Sequence, residues 1–249
     1  MLKQKNYNKN LNKNLRDHLK DLRVFVLTSV IGYLITFAIC FYFAKPLYKF
    51  LAHSLLKSLI KYELPGNFII TSVTEVFSSY LKIAFFFSLF FFLPFFLLFL
   101  YSFLYSALKQ NEKKIAFLIL FLIPLLFFLG SFIAYYISFS FIWDFFIKIF
   151  ILNSDINILP KVSEYINLVL SIILAFGLSF ELPIVLIILA LLQIIDEKDL
   201  LKFSKYAIVI AFVIGGVFTP PDPLSQIIVA LALIILYFIS YFIIRVLNK

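Results

Sequence analysis

The sequence predicts an all-α polytopic membrane protein, and three observations lead to that fold class. The 249 residues are 63% hydrophobic, with a mean hydropathy of +1.06, which is far outside the range of soluble domains. Six apolar runs alternate with polar loops, and a membrane-spanning helix needs about 20 apolar residues. Lysine and arginine concentrate in alternate loops, as they do in membrane proteins of defined orientation. Together these features indicate one bundle of six transmembrane helices.

The polar segment before the first apolar run has two parts. Residues 1–14 are rich in lysine and asparagine, and this composition predicts a disordered basic tail. Leu15, Leu19 and Leu22 then fall on one helical face, which predicts a helix lying along the membrane surface. The first apolar run is longer than the core of a signal peptide, so we expect it to remain as a span. Residues 15–249 are therefore predicted to form one membrane domain.

The apolar runs place the spans and one surface helix. The fifth run has 13 residues and would reach only about 20 Å across a core of about 30 Å, which predicts local thinning of the bilayer. Between the first two spans, basic residues recur every four positions from Lys45 to Lys61 beside a similar row of leucines. This pattern predicts an amphipathic helix at the membrane interface. The predicted spans are 24–43, 76–104, 115–141, 165–192, 206–218 and 224–244.

Loop charges predict the orientation. The two terminal segments and the loops at 105–114 and 193–205 carry 15 lysines and arginines, against 6 on the opposite side. Both termini are therefore expected to face the cytoplasm or an organelle's inner compartment. The abundance of Phe, Ile, Lys and Asn also favours an AT-rich coding genome, as in an organelle or an AT-rich bacterium.

Glu181 and Pro183 lie near the middle of the fourth apolar run. A charge at that depth costs roughly 2.5–3.5 kcal/mol on insertion scales, so such an acid usually has a functional or assembly role. Pro183 frees a backbone carbonyl and bends the helix nearby. The alternative is that Glu181 holds two helices together by one hydrogen bond.

Motif searches argue against an enzyme. The sequence contains no HExxH, GxxxxGK[ST], GxSxG or GxGxxG pattern, which excludes the zinc protease, nucleotide, hydrolase and dinucleotide sites that these motifs mark. The single cysteine, Cys40, and two histidines, His18 and His53, fit no metal or nucleophile site. We therefore expect no cofactor, metal or nucleic acid, and we read the net charge of +9 as a topology signal. Transport, assembly and recognition remain.

Several short motifs occur in one order along the chain. Residues 18–23 are His-Leu-Lys-Asp-Leu-Arg, 176–183 are Phe-Gly-Leu-Ser-Phe-Glu-Leu-Pro, and 219–222 are Thr-Pro-Pro-Asp, followed by Ser225 and Gln226. Together they resemble the TatC family, the multispanning core of the twin-arginine protein translocase. The resemblance implies a concave, glove-shaped bundle that acts as the receptor for folded precursors and works with the proton-motive force. It also implies single-span partners of the TatA and TatB type, a homo-oligomer within a larger complex, and a lipid environment.

The resemblance also implies roles for particular residues. The acidic residues Asp21 and Glu112 would bind the two arginines of the signal. Thr219, Asp222 and Gln226 would contact a partner subunit, and Glu181 with Pro183 would form the intramembrane polar site. The full set of expected signal-binding residues is His18, Asp21, Arg23, Phe103, Glu112, Lys113 and Lys114.

Some alternatives stay open at this point. Asp21 stands where the family usually has Glu, whose side chain is one methylene longer. Asp21 and Glu112 could be surface acids beside lysines, and Thr219 could cap a helix. Two other functions are a proton-coupled secondary transporter and a membrane subunit of a respiratory complex. The family resemblance favours a mitochondrial inner membrane, and otherwise a bacterial inner membrane or a thylakoid.

Overall fold

A computed structural model describes residues 2–64, 67–105, 108–152, 159–219 and 222–247. Side chains are described for these residues except 2–19, 21, 111, 112, 150–152 and 247. In the described part of the chain almost every element is helical, and one isolated bridge joins Ile69 to Lys161. The helices are α1 (Leu2–Tyr42), α2 (Ala44–Lys61), α3 (Val73–Tyr105), α4 (Gln110–Ile133), a π-helical turn (Ala134–Ser138), α5 (Phe139–Leu152), α6 (Val162–Leu191), α7 (Glu197–Phe218) and α8 (Pro223–Leu247).

Six helical stretches are long and apolar enough to cross a membrane, which confirms the predicted all-α, six-span fold class. Each reaches at least 30 Å at 1.5 Å per residue, about the thickness of the hydrocarbon core. The six stretches are Leu22–Tyr42, Val73–Tyr105, Lys113–Ile149, Val162–Leu191, Glu197–Phe218 and Pro223–Val246.

The chain divides into two compact units. The first unit comprises Met1–Tyr42 and Ala84–Phe121, and the second comprises Phe43–Ile83 and Leu122–Lys249. In the first unit α1 packs against α3 through aromatic rings, and the Cβ of any residue replacing Gly32 would lie 2.7 Å from the Phe92 ring. The glycine therefore lets the two helices approach closely.

Within the second unit, α6 is the central helix. It packs against α8, which also packs against α7. Buried residues follow one another along α6 from Val162 to Ile184, as expected for a helix that has protein on several sides. A smaller cluster at the other end of α6 contains Leu200, Tyr237 and Ile244. The Tyr237 hydroxyl donates a hydrogen bond to the Leu200 carbonyl at 2.6 Å, which satisfies its polar end inside this apolar cluster.

Three helices differ in length from the predicted apolar runs. The tail predicted as disordered is helical from Leu2 onward, since residues 2–31 contain no proline or glycine to end a helix. The third span continues through the π turn and α5 to Leu152, beyond residue 141, where the predicted span ends. The fifth span is longer than its apolar run of 13 residues, because α7 has 22 residues.

The predicted amphipathic helix is α2, but its apolar face packs on protein. Leu51, Leu55 and Leu59 are buried while the row of basic residues is exposed. The Tyr135 hydroxyl donates to the Phe50 carbonyl, and the Tyr165 hydroxyl donates to the Leu51 carbonyl at 2.6 Å. These bonds attach α2 to the π turn and to α6.

Trp143 of α5 also attaches to α2. The side chain of Trp143 is buried. Its indole Nε1 donates to the Ser54 hydroxyl at 3.2 Å. The indole N–H therefore finds its partner in protein, as buried tryptophans usually require.

Candidate functional site

The expected signal-binding segments meet at one end of the first unit. The ring of Phe25 in α1 stacks on Phe103 near the end of α3, with 5.5 Å between centroids. The ring of Phe25 also contacts that of Phe96, about two helical turns earlier in α3, with 5.7 Å between the centroids. Phe103, one of the predicted site residues, is half-buried and packs against Phe25. It therefore anchors the beginning of the first span, within α1, to the end of α3.

The loop between α3 and α4 closes on the same end. Tyr101 of α3 and Phe117 of α4 pack edge to face at 5.5 Å. The ammonium of Lys113 lies 3.8 Å from the ring centroid of Tyr105, within the range of a cation–π contact. Since these contacts join α4 to the last turns of α3, residues 110–114 lie near the α3 end that Phe25 contacts.

The acidic candidates sit on these segments. Asp21 lies in α1 one turn before Phe25, and Glu112 lies in the first turn of α4. The side chains of Asp21, Glu112 and His18 are outside the described residues. Arg23 and Lys114 are exposed, so two of the predicted basic residues are open to solvent. The described backbone thus brings the two predicted acidic segments close to the last turns of α3.

Glu181 of α6 lies where that helix contacts α4, in the second unit. Its half-buried carboxyl group lies against the backbone of Phe127 in α4. The carboxyl oxygen Oε1 is buried and has no hydrogen-bond partner among the described residues. Pro183, two residues further along, is buried inside α6. Glu181 of α6 therefore contacts α4, and one of its carboxyl oxygens has no hydrogen bond among the described residues.

Two glycines explain how α4 and α6 come so close. A Cβ on Gly130 would lie 2.6 Å from the Phe176 carbonyl oxygen, and a Cβ on Gly177 would lie 2.6 Å from the Phe127 ring. Small residues at a helix contact let the backbones approach. The Phe-Gly pair of the fourth-span motif is thus a packing device that brings Glu181 against α4.

The predicted partner-contact residues are partly used inside the α7–α8 hairpin. Thr219 is buried, and its hydroxyl donates to the Gly215 carbonyl at 2.9 Å. Thr219 ends α7 as its C-cap residue, which places the hydroxyl in the helix-end role that we gave as the alternative. Gln226 of α8 is half-buried, and its Nε2 donates to the Phe212 carbonyl at 3.0 Å.

Asp222 starts α8. Its Oδ1 accepts the backbone N–H of Ser225 at 2.8 Å, and Pro223 occupies the first helical position. Aspartate before a helix and proline at its first position are both favoured there, because the carboxylate accepts an otherwise unpaired N–H. Pro220 and Pro221 lie outside the described residues. The Thr-Pro-Pro-Asp motif thus ends with the N-cap of the last span.

Glu75 is a buried acid whose role the sequence did not reveal. It is only 4% exposed, and its Oε2 accepts the backbone N–H and the hydroxyl of Thr71 at 2.7 and 2.9 Å. Its Oε1 accepts the backbone N–H of Ser163 at 2.9 Å. The N-cap residue of α6, Lys161, makes no side-chain cap, so Glu75 supplies that cap from another segment.

Lys82 is the other charged residue within a predicted span. A lysine near the entry of a span can extend its ammonium to the membrane interface. In the structure it donates to Oδ1 of Asn167 in α6 at 2.8 Å. Together with Glu75 it joins the first turns of α3 to α6, within the second unit.

Comparisons with known proteins agree with the motif order. The family model described as Sec-independent protein translocase protein (TatC) matches residues 17–231. The TatC protein of Halothiobacillus neapolitanus is 39% identical over 67 residues, which cover 27% of this chain and 18% of that protein. The TatC protein of Rickettsia prowazekii is 47% identical over 55 residues, 22% of each chain. The aligned stretches thus span less than a quarter of either relative.

A solved structure gives a match over nearly the whole chain. The crystal structure described as the twin-arginine translocase receptor TatC superposes with a TM-score of 0.79 at 35% sequence identity. The match covers 93% of this chain and 100% of that one. Since the family model also covers most of the sequence, this integral membrane protein belongs to the TatC family of Sec-independent protein translocase proteins.

Proposed function

We propose that this chain is the core receptor subunit of a twin-arginine protein translocase. It binds signal peptides that carry two consecutive arginines and nucleates the site where folded proteins cross, driven by the proton-motive force. The observation that carries this proposal is the match to the TatC family model over residues 17–231. The similar solved structure, which is described as a twin-arginine translocase receptor, supports it. Family membership does not favour a proton-coupled transporter or a respiratory subunit.

The recognition site in this proposal is the end of the first unit where α1, α3 and α4 meet. A guanidinium group pairs best with a carboxylate, because two parallel hydrogen bonds can form. Asp21 and Glu112 are the acids on the segments that converge there. Arg23, Lys113 and Lys114 are near them in sequence, and neighbouring positive charges keep carboxylates ionised. The Phe25–Phe103 pair supplies adjacent apolar surface for the hydrophobic part of a signal.

The partner subunits are proposed to be single-span proteins of the TatA and TatB type, within a homo-oligomeric complex. The α7–α8 hairpin offers them Gln226, which is half-buried, more readily than Thr219, which is buried. Asp222 contributes by fixing the start of α8. The chain is proposed to act without enzymatic activity or cofactor.

The membrane placement is also part of the proposal. Both termini face the inner side, as the distribution of lysine and arginine favours. The mitochondrial inner membrane is the proposed location, because the family resemblance favours it and the residue composition fits an AT-rich genome, as in an organelle or an AT-rich bacterium.

The acidic site is tested by substitutions that remove charge and keep shape. Glu112→Gln and Asp21→Asn are expected to weaken crosslinking of an Arg-Arg signal peptide tenfold or more, because a hydrogen bond to a charged group contributes about 1.5–3 kcal/mol. The effect should be larger for Glu112→Gln, since Asp21 is one methylene shorter than the usual Glu. Crosslinking is measured at matched membrane levels of each variant.

The control for these variants is Glu164→Gln. Glu164 is 76% exposed at the start of α6, where it lies 3.7 Å from Lys161. Its neutralisation is expected to leave signal binding unchanged. If Glu112→Gln binds and exports an Arg-Arg precursor as well as wild type, the electrostatic assignment is wrong.

A further inference from the structure

A polar cavity of about 430 Å³ lies between α2 and the helix formed by the π turn and α5. All of its walls belong to the second unit. Its size falls within the range of about 300–1,000 Å³ that is usual for small-molecule sites. The chemically active side chains on its walls are His53, Lys57 and Lys61 from α2, and Tyr136, Ser140 and Asp144 from the opposite side.

The cavity carries positive charge. Lys61 and Asp144 form an ion pair at 2.6 Å, so these two charges offset each other. The hydrogen bond with Asp144 raises the pKa of Lys61, which keeps that ammonium protonated. Lys57 forms no salt bridge with any residue that the structure describes. Its ammonium is therefore the charge left to bind an anion, beside a histidine.

Hydrogen bonds between the helices hold the walls of the cavity in place. The Trp143 indole donates to the Ser54 hydroxyl at 3.2 Å, and the Tyr135 hydroxyl donates to the Phe50 carbonyl. Ser54 and Tyr135 both line the cavity. Because Ser54 accepts from Trp143, its own hydroxyl hydrogen can be donated toward a bound anion.

The rim of the cavity continues into an exposed aromatic surface. Phe132 and Tyr136 are 55% and 54% exposed, and their ring centroids lie 4.4 Å apart. Ser140 donates to the Tyr136 carbonyl at 3.2 Å and stands one turn before Asp144. Along this part of the chain the surface therefore changes from aromatic, at Phe132 and Tyr136, to polar, at the cavity. A phospholipid has the same order of acyl chains followed by phosphate.

We propose that this cavity binds the phosphate headgroup of an anionic phospholipid, whose acyl chains lie along Phe132 and Tyr136. Lys57 supplies the charge and the nearby hydroxyls supply hydrogen bonds to phosphate oxygens. Basic pockets beside membrane helices suit anionic headgroups for this reason. Free phosphate shares the headgroup chemistry, but it would make no use of the exposed aromatic rim.

The test uses the full chain purified in detergent, with bound lipid measured by native mass spectrometry. Phosphatidylglycerol, phosphatidylcholine and inorganic phosphate are the three probes. Wild type is expected to retain phosphatidylglycerol over phosphatidylcholine, and Lys57→Gln to lose about tenfold in affinity, as loss of a charge-assisted hydrogen bond would produce. Lys57→Arg, which keeps the charge, is expected to restore binding.

The matched control is Lys49→Gln, which removes another exposed lysine from the same row of α2, two turns from Lys57 and away from the cavity walls. It should retain phosphatidylglycerol as wild type does. An equal loss in Lys49→Gln, or equal binding of the two lipids by wild type, would overturn the proposal. Binding of inorganic phosphate without retention of lipid would overturn it too.

Discussion

Two acidic side chains in this protein, those of Asp222 and Glu75, satisfy backbone N–H groups at the starts of helices. Asp222 accepts the Ser225 N–H at the start of α8, and Glu75 accepts the Ser163 N–H at the start of α6. The first N–H groups of a helix have no partner within the helix, and a negative charge there also interacts favourably with the helix dipole. These acids fix where two spans begin.

Removing the Glu75 carboxylate should destabilise the fold. Glu75→Ala leaves the Ser163 and Thr71 N–H groups without their acceptor, and an unsatisfied buried group costs about 1–3 kcal/mol. We expect a lower midpoint of thermal unfolding in detergent and faster proteolysis between residues 67 and 72. The control Glu164→Gln, at a carboxylate with 76% exposure, should change stability by less than about 1 kcal/mol. Equal unfolding midpoints for Glu75→Ala and wild type would contradict this role.

The two capping acids differ in how far the sequence reveals them. Asp222 precedes a proline and an apolar run, so its position before a helix could be predicted from local rules. Glu75 has no such signal, because its partner Ser163 is 88 positions away. Asp21 and Glu112 were identified by resemblance to a family, since short-range rules do not separate them from ordinary surface acids. Contacts between segments that are far apart in the sequence therefore cannot be predicted from the residue pattern alone.

At the scale of elements, small residues set how closely α7 and α8 pack. Ala211 and Gly215 of α7 and its C-cap residue Thr219 stand at four-residue intervals and are all buried. A Cβ on Gly215 would lie 2.8 Å from the backbone oxygen of Gln226. This spacing of small residues is the usual device for close helix contacts in membranes.

Adjacent glycines of α7 allow a matched test of this contact. Gly215→Ala should destabilise the hairpin, because its methyl group meets backbone and overpacking typically costs about 1–3 kcal/mol. In Gly216→Ala the new Cβ would meet only the Gln226 side-chain amide at 3.2 Å, and that side chain can move. This variant should be neutral, or stabilised by up to about 1 kcal/mol through the higher helix propensity of alanine. Unfolding in detergent measures both, and equal effects would contradict the account.

The hydrophobic runs predict the number of spans more accurately than the length of each span. The apolar part of the fifth span starts at residue 206, whereas α7 starts at Glu197 after a reciprocal capping box between Asp196 and Asp199. Backbone hydrogen bonding continues a helix past the apolar run when the flanking residues are good helix formers. Because Lys202 and Lys205 are exposed, they ended the predicted span without ending the helix. The apolar pattern alone therefore does not define where a helix begins or ends.

At the scale of the whole molecule, two compact units divide the proposed tasks. The first unit brings together the acidic segments of α1 and α4 through the aromatic rings on α3. The second unit contains the Glu181 contact, the α7–α8 hairpin and the polar cavity beside α2. Both long helices, α3 and α4, run through both units. The central claim is that the acidic segments of the first unit bind twin-arginine signals.

Binding of two peptides to the purified full chain tests that claim most directly. One peptide carries an Arg-Arg signal, and the other differs only by Lys-Lys at the same positions. Arginine offers two parallel hydrogen bonds to a carboxylate and lysine only a point charge. We therefore predict at least tenfold tighter binding of the Arg-Arg peptide, equivalent to about 1.4 kcal/mol. Equal affinity for the two peptides, or no binding of either, would contradict the claim that this chain is a twin-arginine receptor.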